Sequence, residues 1–121
     1  MAKWQIDAML DAALDYISTN AVEIYVCNAQ PTTYAEASST FALTSIEVPT
    51  FQANANGDGS GRKLAVDEEA DMSITSTDTA THIALTSASV LLYVTTCTSQ
   101  ALTSGGTVTI PTWDIEIEDA A

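Results

Sequence analysis

The chain has 121 residues, 46% of them apolar and 16% charged, with 16 acids against 3 bases for a formal charge of −13. That length suits one domain, 1–121, with enough apolar residues for a proper core. The acid excess argues against nucleic acid, whose phosphates are met by Lys and Arg, and against anionic membrane surfaces.

Residues 3–18 read as an amphipathic helix. Ile6, Met9, Leu10, Ala13, Leu14 and Ile17 share one broad apolar face, while Asp7, Asp11 and Asp15 recur every fourth residue on the other. Those acids repel one another mildly, which suits a solvated face or one meeting a cationic partner. They also interrupt the apolar pattern too often for a secretory h-region. Asn20 is a plausible stop.

From residue 21 to 118 the pattern turns to β. Strand-like runs fall at 21–27, 41–48, 63–66, 72–74, 82–86, 90–97, 107–110 and 113–118, separated by polar turns such as SAS and TSGG. Short strands at such spacing predict an antiparallel β-sandwich or barrel-like domain behind one N-terminal helix, mainly β overall. Abundant Thr supports this, because a β-branched side chain fits a pleated face. In the last run Trp113, Ile115 and Ile117 alternate with Asp114, Glu116 and Glu118, giving a core face and a row of solvated carboxylates. No apolar run is long enough for a transmembrane helix.

The stretch NANGDGSGRK, 54–63, invites a ligand reading. A phosphate loop needs Lys directly after the last Gly and then a hydroxyl. Here Arg62 intervenes after Gly61, and Leu64 stands where the hydroxyl belongs. A dinucleotide loop opens a helix, whereas RKLAV reads as a strand. Calcium fits better, with Asn54, Asn56, Asp58 and Gly59 in EF-hand order, but Ala65 replaces the bidentate acid and Arg62 brings a cation. The segment therefore reads as a glycine turn, or as an interface loop carrying Arg62 and Lys63 toward an acidic surface.

Cys27 and Cys97 read either as buried thiols or as a disulfide tying two strands. His82, the one histidine, lacks a metal-ligand pattern around it and sits on a strand face with Ala84. Nothing in its surroundings marks an activated nucleophile, so the chain reads as non-enzymatic, with no metal or cofactor called.

Several segments, taken in order, resemble a known family. KWQIDAMLDAALDYISTNA, CNAQPTTYAEA, GDGSGRKL, TATHIAL, LLYVTTC and TIPTWDIEIEDA are similar to small tailed-phage and prophage virion structural proteins found near capsid genes. The resemblance covers nearly the whole chain. It implies a capsid decoration or cement protein, made in the bacterial cytoplasm, that binds the major capsid protein on the virion exterior, often as a homo-oligomer. It supplies no catalytic residues and no cofactor. Lys3, Trp4, Arg62, Lys63 and Trp113 are then the interface candidates, as the scarce cations and the two Trp anchors. A neck, tail or tail-tip component, or a soluble carbohydrate- or calcium-binding module, are the alternatives.

Overall fold

A computed structural model describes residues 6–58 and 61–117. Lys3, Trp4 and Glu118 lie outside the described residues. The elements are α1 (Asp7–Asn20), β1 (Glu23–Cys27), a π-helical segment (Glu36–Thr40), β2 (Ala55–Asn56), β3 (Arg62–Val66), β4 (Glu69–Ser73), β5 (Asp78–Thr86), β6 (Leu91–Leu102), β7 (Thr107–Ile110) and β8 (Trp113–Ile117). The fold is mainly β with one N-terminal helix and is sandwich-like.

Three antiparallel sheets form, with orders β1-β5-β6, β2-β3-β8 and β4-β7. The inner face of the first carries Ile24, Val26, Ile83 and Leu85, packed with Leu64, Val66, Met72 and Ile115 from the other two. Burying each such side chain stabilises the fold by roughly 1.5–3 kcal/mol. On its outer face Tyr25, Cys27 and Ala84 are covered by Ala37 and Phe41, from and beside the π-helical segment.

A carboxylate anchors one edge of that outer face. Glu23 Oε1 accepts from Tyr25 Oη at 2.7 Å, Tyr34 Oη at 2.9 Å and Thr86 Oγ1 at 3.2 Å. Burial, then the hydrogen bond to Glu23, pushes the Tyr25 phenol up, while for Tyr34 the bond to Glu23 is the main cause. Both phenols stay protonated donors.

The predicted strand at 41–48 is not a regular strand. It makes isolated bridges on two sides, Ile24↔Glu47 and Cys27↔Ala42 toward β1, and Thr44↔Ile74 toward the end of β4. Leu43 N–H donates to Val26 O at 2.8 Å, and Ser45 N–H donates to Ser73 O at 3.0 Å. The alternating apolar pattern is real. The backbone spends its hydrogen bonds on two neighbours in turn, so neither ladder runs on.

Elsewhere the strands outgrow their sequence patterns. β5 starts at Asp78 and β6 runs through TSQAL to Leu102, paired through a bulge between Ala80 and His82. Polar residues 98–100 hid that extension, since an exposed strand half shows no apolar alternation. β4 begins at Glu69, and Asp71, with φ 56°, sits where its register against β7 shifts, between Glu69 and Met72.

Candidate functional site

Helix α1 lies on the sheet in an orientation that its apolar pattern alone does not give. Leu10 and Leu14 are buried and Ile17 packs on the core, but Ile6, Met9 and Tyr16 are 52%, 64% and 61% exposed. Ala8, Ala12 and Ala13 are exposed with them. Two of the three acids, Asp11 and Asp15, reach toward β3 and the segment before β2, while Asp7 is exposed. Arg62 Nε donates to Asp11 Oδ1 at 2.9 Å, its Nη2 donates to Asp11 Oδ2 at 3.4 Å, and Asn54 Nδ2 donates to Asp15 Oδ1 at 2.8 Å. A forked guanidinium–carboxylate pair fixes direction as well as distance, so α1 is rolled to bring its acid edge to Arg62. Its remaining apolar surface then faces water.

Arg62 and Lys63 are neighbours in sequence but point to different acids. The side chains of Arg62 and Asp11 keep 18% and 27% of their exposure. Lys63 Nζ lies 3.0 Å from Asp58 Oδ1 and 3.5 Å from Asp114 Oδ2, across the sheet from β8. The hydrogen bond to Asp11 holds the Arg62 guanidinium above its ordinary value, and Asp58 does the same for Lys63. Lys63 in turn holds the Asp58 carboxyl below the usual range. The acidic surface that these cations face is the protein's own.

The calcium reading meets the same pairs. Asp58, Asp114 and Glu116 bring carboxylate oxygens within 4.8 Å of one another. Lys63 supplies the counter-charge, and Glu116 Oε1 accepts from Asp58 N–H at 2.7 Å. Asn56 Oδ1 is taken by Arg62 Nη1 at 2.8 Å, and the Asn54 amide is turned to Asp15. Asn54, Asn56 and Asp58 are therefore not a converging ligand set, and Gly59 lies outside the described residues.

Trp113, at the start of β8, pairs with Val66 and stacks on Tyr93 of β6, with ring centroids 6.1 Å apart. Its indole N–H is fully buried without an acceptor. Beside it lies a cavity of about 410 Å³, bounded by β6 on one side and β7 on the other. Cys97 is on its wall, half-buried and free, while Cys27 is free and fully buried. β5 runs between their strands. Two strand spacings amount to ~9.6 Å, beyond the Cα reach of about 7 Å for a disulfide, so the pair stays reduced in this fold. Burial pushes the Cys27 thiol up to about 12, and its Sγ donates to Ala37 O at 3.6 Å. It is an inert core thiol. His82 lies opposite Cys27 in the ladder, and its Nδ1 is 2.8 Å from Thr81 Oγ1.

The structure thus joins Lys63 and Trp113 through one sheet, and separates both from the outer face of α1. The sequence pattern missed that face because it counted six apolar helix positions as one buried stripe. It missed the cavity too, although Pro111 after β7 was a signal that the ladder would be broken there. No described helix is long and apolar enough to cross a membrane. No protein family, curated protein or solved structure matches the chain.

Proposed function

We propose that this protein is a non-enzymatic structural component of a tailed-phage head, a decoration or cement protein that fastens to the major capsid protein on the virion exterior and assembles as a homo-oligomer. The observation that carries the reading is the outward face of α1. On a protein with 13 excess negative charges, Ile6, Met9 and Tyr16 form an exposed, charge-free stripe. Contiguous exposed apolar surface marks contact with another macromolecule. Leu10 and Leu14 seat the opposite side of the helix in the core, and the Arg62–Asp11 pair ties down its acid edge, which leaves that stripe outward. The segment-by-segment resemblance to virion proteins supplies the kind of partner.

In this reading the contact is the helix face, with Arg62 acting as an internal strut behind it. Many weak contacts repeated over a lattice suffice for firm attachment. Quantitative mass spectrometry of purified particles tests the assignment. The expected result is a copy number that scales with the major capsid protein. A copy number matching the portal axis reassigns the chain to the neck or tail, and absence from particles ends the proposal. Met9→Glu, which leaves the core untouched, is expected to reduce attachment without altering the fold.

A further inference from the structure

β6 and β7 are consecutive strands joined by residues 103–106, yet they do not pair; β6 pairs with β5 and β7 with β4. Zipped as an ordinary hairpin about that turn, Gln100 would face Thr109, Thr98 would face Pro111, and Thr96 would face Trp113. Those six residues instead line the cavity. Two features hold the hairpin open. The turn is clamped to the β4 side, with Gly105 N–H donating to Ile74 O and Ile74 N–H donating to Gly106 O, both at 3.0 Å. Pro111 has no N–H to offer Thr98. Gly105, at φ 93°, gives the turn the left-handed residue that this clamp requires.

The result is a cleft between two strand edges that have no ladder partner among the described residues. Its mouth is formed by exposed Thr96, Thr98, Gln100 and Thr109. Its floor is apolar, with Val26, Ala80, Ile83 and Ile110. Trp113, stacked on Tyr93, lies at one end of the cleft, and Gln100 and Val108 line it toward the 103–106 turn.

We propose that this cleft accepts a short extended segment of a partner protein, added as a strand between β6 and β7. Open strand edges template such addition through main-chain hydrogen bonds. Residues 95–100 span ~17 Å, room for about five residues of strand. Alternate side chains of the segment reach the apolar floor and the solvated mouth. Trp113 lines the cleft, and its indole N–H, buried without an acceptor in the free protein, is a reporter beside any segment that enters. Charge selects the flanks. Asp114 on the cleft wall shares Lys63 with Asp58, at 3.5 Å against 3.0 Å, and the chain carries −13 with Arg62 and Lys63 both held by its own acids. The segment therefore carries Lys or Arg at its ends. The inference stands on the cleft alone and does not depend on the virion assignment.

Titration of the ¹⁵N-labelled protein with acetylated, amidated Lys-Val-Thr-Val-Lys tests it. Amide shifts are expected at 95–100 and 108–110 and at the Trp113 indole N–H, with Cys97 reacting more slowly with a soluble disulfide reagent. A proline-centred peptide and a Glu-flanked peptide are each expected to bind about tenfold more weakly, the scale of one lost hydrogen bond or ion contact. No shift at millimolar peptide overturns the proposal, as do shifts confined to α1 or equal affinity for the proline-centred peptide. An indole shift with cyclohexanone but none with peptide also overturns it, making the cleft a small-molecule cavity. Thr96→Trp, at the exposed mouth, is expected to weaken binding about tenfold by obstructing entry, and Thr98→Trp repeats the test if the first variant is poorly folded. Unchanged affinity in the folded variant places the peptide elsewhere and overturns the proposal.

Discussion

The α1–β3 seam and the β6–β7 cleft handle polar groups in opposite ways. At the seam a scarce cation is matched to the protein's own acid, Arg62 to Asp11, as Lys63 is to Asp58 and Asp114 on the β8 side of the same sheet. At the cleft, charge is sparse but two strand edges and an indole N–H are left without partners among the described residues. A saturated seam fixes the helix and so presents a defined face. An unsaturated cleft leaves hydrogen-bonding capacity that another chain can use. The contrast separates what holds this molecule together from what it has to offer.

The sharpest probe of the seam compares its inner and outer sides. Leu14 is fully buried, so Leu14→Ala is expected to cost about 2–5 kcal/mol in denaturant unfolding. Met9→Ala, on the exposed side, should stay within about 0.5 kcal/mol. Equal losses would mean that α1 is seated differently, and the outward-face argument would fall with it. A smaller effect isolates the polar contact. Arg62→Met removes the partner of Asp11 and is expected to lose well under half as much stability as Leu14→Ala. Asp11→Asn keeps an acceptor for Arg62 and should lose less again. Surface pairs are worth little in general. The diagnostic readout is therefore orientation: Tyr16 and Met9 should lose exposure to oxidative or hydroxyl-radical labelling in Arg62→Met if the pair is what prevents rolling.

These variants also bear on what was legible in sequence. The β class, the helix and the alternation of Trp113, Ile115 and Ile117 could be read because apolar periodicity reports burial directly. The roll of α1 could not, since Leu10 and Met9 look alike until Arg62, 51 positions from Asp11, pulls the acid edge down. Long-range pairing is invisible to local pattern. For the same reason Arg62 and Lys63 stood out as unusual residues while their partners did not. The cleft was half legible: TSGG marks one end and Pro111 a break in the ladder along it, but only the clamp from Ile74 to Gly105 and Gly106 makes an open hairpin out of them.

Acidity gives a weaker handle on the same contrast. Lys63 holds Asp58 low, the Thr79 N–H and then Asn28 hold Asp78 low, and Thr32 holds Glu36 low. Carboxyls depressed in the folded state contribute stability above their ordinary range, lost as pH falls through the folded values, from about pH 5 downward. Glu69 runs the other way, raised first by burial and then by Glu47 and Asp67. Its ionisation opposes folding at neutral pH, and that penalty fades as acid protonates it. Glu69→Gln is therefore expected to raise the thermal midpoint at pH 7 and to change it little at pH 3. A constant gain at both values would point to packing instead of charge.

The smallest expected change in stability concerns the cleft, and it bears most directly on why the cleft is open. Pro111→Val restores an N–H opposite Thr98, removing one of the two obstacles to zipping β6 onto β7. A new ladder bond stabilises by about 0.5–1.5 kcal/mol, while losing a loop proline loosens the unfolded chain by a similar 0.4–1 kcal/mol. The net midpoint should hardly move. Hydrogen exchange, however, should slow at Thr98 and Thr109, and the lysine-flanked peptide should lose affinity as its place is taken by the protein's own strand. If exchange stays fast and the peptide still binds, the clamp at Ile74 alone holds the cleft open, and proline is incidental. If exchange slows without loss of peptide binding, the segment does not enter between these edges, and the strand-addition proposal fails.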